Sequence, residues 1–280
     1  MDRSSRSIRL PRPSKPDRSK APAVAIPGAV VYPFFMMTTG RLTRPALAHR
    51  LLMCGLLLLS GCFPPPPDGA ETVIVVHGLG RTPASMSVLE YRLENEGYRI
   101  VSFGYPSRSE PIETLVGLLA DEVERCCAAE RETVHFVTHS MGGILVRSYL
   151  ADQPRPRRGR VVMLSPPSQG SELIDALEDS PLLRLTLGPA ATELGTDSSD
   201  IAARFGPVHF SLGIITGDVS FNPLYSSLIP GPDDGKVGVD NARVPGAADF
   251  LVLPATHTFI MNRSDAADAV IRFLRTGRFH

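Results

Sequence analysis

Downstream of a proline-rich stretch, apolar runs of strand length alternate with amphipathic runs of helix length. Residues 72–77 (TVIVVH) are apolar almost throughout, and residues 83–96 place Leu89 and Leu93 at helical spacing. Nearly continuous apolar strands are typical of a parallel sheet that helices cover on both faces. The pattern therefore predicts one α/β domain over residues 71–280, with a mostly parallel central sheet and helices on both of its faces.

The rest of the chain extends this alternation. Further strands are predicted at residues 99–105, 134–138, 160–164, 210–216 and 250–253, and further helices at 111–130, 141–151 and 265–275. Between these elements, residues 172–206 carry many leucines without a clean strand pattern. Two interpretations of this insert stay open: a short helical lid over an acyl pocket, or a helix packed on the sheet.

The sharpest chemical signal is the sequence THSMGG at residues 138–143, between a Val-rich strand and a helix. A serine on so tight a turn holds its hydroxyl clear of the backbone, with a helix N-terminus facing the developing oxyanion. A side chain at Gly142 would collide with the neighbouring strand, and Gly143 belongs to the same turn. The segment resembles the nucleophile elbow of α/β-hydrolases, in particular bacterial lipases and esterases, which implies that Ser140 is the nucleophile. Thr138 replaces the first glycine of the family's G-x-S-x-G pattern.

A second signal, His77-Gly78-Leu79-Gly80, follows the first predicted strand and resembles the H-G-x-G turn of the same lipases. Acyl transfer needs two backbone N–H donors aimed at the position where negative charge develops on the carbonyl oxygen. By resemblance these donors are Leu79 and Met141. The two glycines let the loop fold close to the nucleophile, and the histidine is then a structural residue.

The resemblance also implies where the base and the acid lie. His257 follows the last predicted strand, in the loop that resembles the family's histidine position. Asp234 begins the segment DGKV, which resembles the D-G-x-V segment in which lipases carry their acid. Asp218, at the end of a predicted strand, stays open as the alternative acid. The chain order Ser140, Asp234, His257 matches this superfamily.

Neither a cofactor nor a metal is predicted. The Gly-x-Gly at residues 78–80 lacks the third glycine of a dinucleotide-binding loop, and Pro83 follows it. His135 and His139 are four residues apart, but on a predicted strand, without the glutamate and the helix of a zinc site.

Residues 36–61 are typical of a bacterial secretory signal. Arg41, Arg44 and Arg50 precede a leucine run that is too short to span a bilayer comfortably. The run ends in LSGC, which resembles the lipobox at which a peptidase cuts before the cysteine and the thiol is acylated. This resemblance predicts lipid attachment at Cys62, while an uncleaved anchor or a cut at another position stays open.

The segments before and after this signal support the same predicted export to a bacterial envelope. Residues 62–70 are rich in proline and predict a stiff spacer that holds a domain off a surface. In the lipoproteins that this segment resembles, an aspartate after the cysteine favours retention in the inner membrane, so the resemblance implies that Phe63 at this position favours the outer membrane of a bacterial envelope. Residues 1–35 lack apolar periodicity and are predicted to be disordered or untranslated, because Met36 or Met37 would start a signal of usual length.

The charge of the chain argues against one class of partner, and its cysteines bear on whether a disulfide is expected. Residues 1–61 hold ten Lys and Arg against two acids, whereas the rest holds nineteen against twenty-seven, a net of −8. An acidic domain without a basic patch argues against nucleic acid as a partner. Cys126 and Cys127 are neighbours in a predicted helix, where a mutual disulfide would be strained, so two thiols are expected.

These observations predict a serine esterase or lipase that acts on small-molecule or lipid esters through an acyl-enzyme. Amidase, thioesterase or acyltransferase chemistry on the same triad stays open. So does a non-catalytic envelope protein that uses the fold as a binding module, because a fold alone does not prove activity.

Overall fold

A computed structural model describes residues 69–128, 133–151, 159–177, 186–196, 205 and 207–280. The segments predicted as disordered leader, signal, lipidation site and most of the spacer (1–35, 36–61, Cys62 and 63–68) lie outside the described residues. Within the described ranges, no helix is both long enough and apolar enough to cross a bilayer.

A parallel sheet forms the centre of the described fold. Its strands are β1 (Thr72–Val76), β2 (Arg99–Phe103), β3 (Val134–His139), β4 (Arg160–Leu164), β5 (Ser211–Gly217) and β6 (Asp249–Leu253), in the spatial order β2-β1-β3-β4-β5-β6. Every neighbouring pair runs parallel, and Val76 faces Phe103 on one side and Thr138 on the other. The predicted α/β class with a mostly parallel sheet is therefore confirmed.

Helices cover both faces of this sheet. They are α1 (Ser87–Asn95), α2 (Ile112–Cys126), α3 (Met141–Ala151), α4 (Glu172–Leu177), α5 (Pro189–Thr192), α6 (Pro223–Ser226) and α7 (Ser264–Thr276), with 3₁₀ turns at Pro83–Met86 and Ile260–Asn262. Successive side chains of a strand point to opposite faces. Accordingly Ile74 packs in one core with residues of α2 and α3, whereas Val73 and Val75 pack in a second core with residues of α1 and α7.

Two strand ends fall earlier than the hydrophobic runs predict. β1 ends before His77 and β2 ends before Tyr105, although both residues continue an apolar run. Their rings stack instead, with centroids 4.2 Å apart, and the Tyr105 hydroxyl donates a hydrogen bond of 2.6 Å to the His77 carbonyl. The chain leaves the sheet at this contact, where the loop after β1 begins.

The expectation of two free thiols at the end of α2 is wrong, because Cys126 and Cys127 form a disulfide. The predicted helix over 111–130 ends at Cys126, and the backbone of Cys127 has the non-helical angles φ −141° and ψ 40°. In an uninterrupted helix neighbouring side chains point in different directions. The change of backbone conformation at Cys127 removes that restriction, and the adjacent sulfur atoms meet.

The parallel order has one consequence for function. Parallel strands end at the same edge of a sheet, so the loops after β1, β3, β4, β5 and β6 converge there. Ligand sites of open α/β sheets lie outside these carboxyl ends. The predicted site residues Leu79, Ser140, Asp234 and His257 all lie in these loops.

Candidate active site

Ser140 forms the turn between β3 and α3 in a strained conformation. Its φ is +53°, in the left-handed region that L residues other than glycine seldom adopt. Its N–H donates to the Leu164 carbonyl at 2.8 Å, and its own carbonyl accepts from the Gly143 N–H at 2.9 Å. Such strain persists only where the surroundings over-determine it, and it is concentrated at functional sites. The turn leaves the Ser140 side chain half-buried at the edge of the sheet.

Close packing behind the turn explains its glycines. A Cβ at Gly142 would lie 2.7 Å from the carbonyl oxygens of Val76 and His77, which are backbone atoms that cannot move aside. A Cβ at Gly143 would lie 3.3 Å from the hydroxyl of Thr138, which is fully buried. The threonine in place of the family's glycine therefore fits beneath the turn.

A continuous hydrogen-bond chain joins Ser140, His257 and Asp234. His257 Nε2 lies 3.1 Å from Ser140 Oγ, and its Nδ1 lies 2.9 Å from Asp234 Oδ2. With the proton on Nδ1, the imidazole donates to the carboxylate and accepts at Nε2 from the serine hydroxyl. The His257 N–H also donates to the Asp234 carbonyl at 2.8 Å, so backbone as well as side chains tie the two loops together.

Asp234 is held as an anion by its surroundings. Burial alone would raise the pKa of its carboxyl, but the charge and hydrogen bond of His257, together with hydrogen bonds from Val237 and Ser165, leave the pKa below its ordinary value. Its Oδ1 also accepts from the N–H groups of Val237 at 2.9 Å and Lys236 at 3.1 Å. The alternative acid, Asp218, is exposed at the end of β5. The structure therefore brings Asp234 to the imidazole.

The loop after β1 lies against the same turn. A Cβ at Gly78 would lie 2.8 Å from His139 Nδ1 and 3.0 Å from Ser140 Cβ, so only glycine permits this approach. Gly80 has φ +68°, and its N–H donates to a serine hydroxyl at 3.0 Å. His77 is buried, and its Nδ1 donates to the Gly78 carbonyl at 2.9 Å. His77 thus forms a hydrogen bond within its own loop, as expected of a structural residue.

A cavity of about 210 Å³ opens beside the serine. It is lined by Leu79, Arg81, His139, Ser140, Pro167, Ser171, Leu173, Ile174, Leu177, Leu187, Leu194, Tyr225, Lys236, Val237 and His257. The described parts of the insert, 172–177 and 186–196, supply much of its apolar wall, while Leu173 and Leu194 are also buried in packing. Movement of the insert as a lid stays a prediction, and residues 178–185, 197–204 and 206 lie outside the described residues.

The sequence matches the model of the alpha/beta hydrolase family over residues 73–275. This chain belongs to the alpha/beta hydrolase family. The match begins at the second residue of β1, includes β2 to β6, and contains all the residues of the hydrogen-bond chain described above. No curated protein sequence matches the chain.

Solved structures share the fold of this α/β-hydrolase at low sequence identity. The mature lipase BlEst2 of Bacillus licheniformis superposes with a TM-score of 0.62 at 18% identity, over 76% of this chain and 94% of that one. The metagenomic carboxyl esterase MGS0156 gives 0.57 at 18% identity, over 72% and 69%. Phospholipase PlaB of Legionella pneumophila gives 0.51 at 21% identity, over 62% and 44%. At sequence identities this low, the superpositions establish a shared fold and nothing beyond it.

Sequence reasoning missed the contribution of His139 to this α/β-hydrolase site. His139 is buried directly before Ser140, and its Nε2 donates a hydrogen bond of 2.9 Å to the His257 carbonyl. Burial, and then the charge of His257, hold the pKa of His139 well below its ordinary value, so it stays neutral. The only signal in the sequence was its place beside the serine.

Metal ligation has no support in the described part of the chain, where no group of three His, Cys, Asp or Glu side chains is placed to hold an ion. His135 serves the packing of the sheet. Its Nε2 lies 3.1 Å from Glu71 Oε2, and its Nδ1 accepts from the Arg160 N–H at 3.0 Å.

The packing at Gly142 predicts that Gly142→Ala destabilises the fold by about 1–3 kcal/mol, because the added methyl collides with the backbone of β1. Gly117→Ala is the matched control, since a Cβ there meets nothing within 4 Å on helix α2. It should stabilise by about 0.4–1 kcal/mol. Urea unfolding followed by far-UV circular dichroism measures both. Equal effects of the two substitutions would contradict the packing argument.

Three buried histidines predict a loss of stability in mild acid. Burial lowers the pKa of His77, His135 and His139. Below about pH 6.5 the unfolded chain therefore binds protons that the folded chain does not bind. The contribution of these histidines to the free energy of unfolding should be complete above that pH and should decrease as the pH falls from about 6.5 to about 5. Each histidine contributes up to about 1.4 kcal/mol per pH unit. In urea titrations at several pH values, His139→Gln should reduce the slope of the unfolding free energy against pH by the equivalent of about one proton. An unchanged slope would show that His139 is not buried in its neutral form.

Proposed function

We propose that the chain is a serine hydrolase that cleaves carboxylic esters through an acyl-enzyme on Ser140. One observation carries the proposal: a strained, half-buried serine meets an imidazole at 3.1 Å, and that imidazole meets a buried carboxylate at 2.9 Å. In this arrangement His257 acts as the base, and Asp234 holds it in the tautomer that accepts the serine proton.

The proposed reaction has two balanced halves. Ser140 Oγ bonds to the ester carbonyl carbon while its proton moves to His257 Nε2, and the carbonyl oxygen becomes an oxyanion. Collapse of this intermediate breaks the ester C–O bond, and the alcohol leaves with the proton from His257. Water then attacks the acyl-enzyme, gives a proton to His257, and releases the carboxylic acid as the serine regains its proton.

Backbone N–H groups of Leu79 and Met141 are the proposed donors to the oxyanion. Met141 is the first residue of α3, so its N–H has no acceptor within the helix and the helix dipole faces the same point. Leu79 lies in the loop that Gly78 brings against Ser140, and it lines the cavity. Two donors at this position would stabilise the charge that forms in the transition state.

The wall of the cavity supports an acyl substrate. Its apolar side is formed by Leu173, Ile174, Leu177, Leu187, Leu194 and Val237. Such a wall suits the hydrocarbon part of an ester, while the polar groups at one end orient the carbonyl. Structural neighbours described as a lipase, a carboxyl esterase and a phospholipase agree with an ester substrate of this kind.

Substitution of the hydrogen-bond chain tests the proposal. Ser140→Ala and His257→Ala should abolish labelling by a fluorophosphonate probe and lower kcat on a soluble butyrate ester by about 10⁴-fold or more. Asp234→Asn should lower kcat by a similar order, because the imidazole loses its orientation. The exposed Asp218→Asn is the matched control and should stay within about twofold.

The outcomes separate two classes of function. A folded wild-type chain that neither reacts with the probe nor hydrolyses esters would favour a binding module on a hydrolase fold. If Asp218→Asn loses activity while Asp234→Asn retains it, the acid is assigned to the wrong residue.

We also propose that residues 36–61 are a lipoprotein-type signal and that Cys62 is acylated, which would anchor the domain in a bacterial envelope. The LSGC sequence after a basic flank and a leucine run supports this proposal. In bacterial cells, Cys62→Ser should abolish incorporation of labelled palmitate and move the protein out of the membrane fraction. Cys54→Ser is the matched control and should keep the label. Persistent labelling of Cys62→Ser would refute attachment at that thiol.

A further inference from the structure

Two cationic side chains line the cavity beside Ser140. Arg81 lies two residues after Leu79, in the loop that follows β1, and Lys236 lies two residues after Asp234. They come from separate loops, and both line the cavity that Ser140 and His257 also line. Both cations are therefore set directly on the loops that carry the proposed reaction.

Contacts hold one of these cations firmly in place. Arg81 Nη2 donates a hydrogen bond of 3.0 Å to the carbonyl of Thr258, the residue after the proposed base. Lys236 lines the cavity too, and its backbone N–H donates to Asp234 Oδ1 at 3.1 Å. The two residues therefore bring two positive charges to one cavity.

No acidic residue is among those that line this cavity. Within the described part of the chain, neither Arg81 nor Lys236 forms an ion pair with a carboxylate. Asp234, two residues before Lys236, is buried and already bonded to His257 and to two backbone N–H groups. Its charge partly offsets that of Lys236, but no carboxylate lines the cavity itself.

The two cations also act on each other. The pKa of Lys236 is lowered, first by partial desolvation and then by the positive charge of Arg81. Both charges further lower the pKa of His139, behind its burial and the effect of His257. Placing like charges together in a partly desolvated cavity is unfavourable, and an anion between them would reverse that cost.

Resting on the proposed hydrolase function, we propose that Arg81 and Lys236 bind an anionic group, a phosphate or a carboxylate, on the ester substrate. The acyl chain lies against the apolar wall, and the anion lies between the guanidinium and the ammonium on the polar side. The preferred substrates are thus anionic esters, of which acidic lipids and small anionic esters are two sources. Arg81 and Lys236 determine specificity and take no part in bond making.

Matched pairs of soluble esters test this inference with the full chain. One pair is dibutyryl glycerol 3-phosphate against dibutyryl glycerol, and the other is 4-butyryloxybenzoate against its methyl ester. Wild type should show a higher kcat/KM for the anionic member of at least one pair, and the pair that responds identifies phosphate or carboxylate. Raising the salt concentration should reduce the preference, because salt screens an exposed charge pair.

Two substitutions of the exposed lysine measure its contribution. Lys236→Gln should lower the ratio of kcat/KM for anionic over neutral ester by about five- to tenfold, and Lys236→Glu should lower it further. Arg125→Gln is the matched control, since it removes a cation from an exposed pair with Glu122 on α2, and it should leave the ratio unchanged. A Michaelis constant that rises more than kcat falls would mark a binding contribution.

The result separates this inference from the hydrolase proposal. Fluorophosphonate labelling of Ser140 and hydrolysis of the neutral esters, with the same ratio in wild type, Lys236→Gln and Arg125→Gln, would overturn the anion site and leave the hydrolase standing. Loss of labelling and of all ester hydrolysis in folded wild type would overturn both. The anion site would also be overturned if a preference for anionic esters appeared only with dispersed lipid and not with the soluble pairs. Such a result would attribute the preference to the charged lipid surface.

Discussion

The packing of α3 against β1 leaves no room for a side chain at Gly142, where a Cβ would meet two backbone carbonyl oxygens at 2.7 Å. The strained φ of Ser140 lies at the same turn, between β3 and α3. Such strain persists where the surrounding fold over-determines one residue.

Loops from separate strands depend on one another around this turn. Gly78 lets the loop after β1 touch Ser140, and His139 donates from the end of β3 to the carbonyl of His257. The His257 N–H in turn bonds the carbonyl of Asp234. Side chains and backbone thus hold the serine, the imidazole and the carboxylate in one arrangement, and a site fixed in this way needs less reorganisation during a reaction.

The cavity beside the serine is lined by two chemically different kinds of side chain. Leucine and isoleucine side chains of the insert line it together with Arg81 and Lys236. An apolar wall alone discriminates weakly between esters, because each methylene contributes little. A charged side adds a second criterion that the apolar wall cannot supply. The proposed hydrolase function and the proposed anion site together would connect acyl chemistry with a choice among substrates.

Local patterns in the sequence determined the parallel sheet and the serine turn, because strand periodicity and glycine spacing are short-range properties. Resemblance to lipase segments pointed to His257 and to Asp234, with Asp218 as the alternative acid, but only the folding of the loop after β5 decides which carboxylate reaches His257. The backbone break that lets Cys126 and Cys127 join, and the meeting of two cations from loops far apart in the chain, are likewise tertiary. The reason is physical: contacts between distant segments depend on how helices and loops pack across the sheet, which no local pattern of hydrophobic and polar residues encodes.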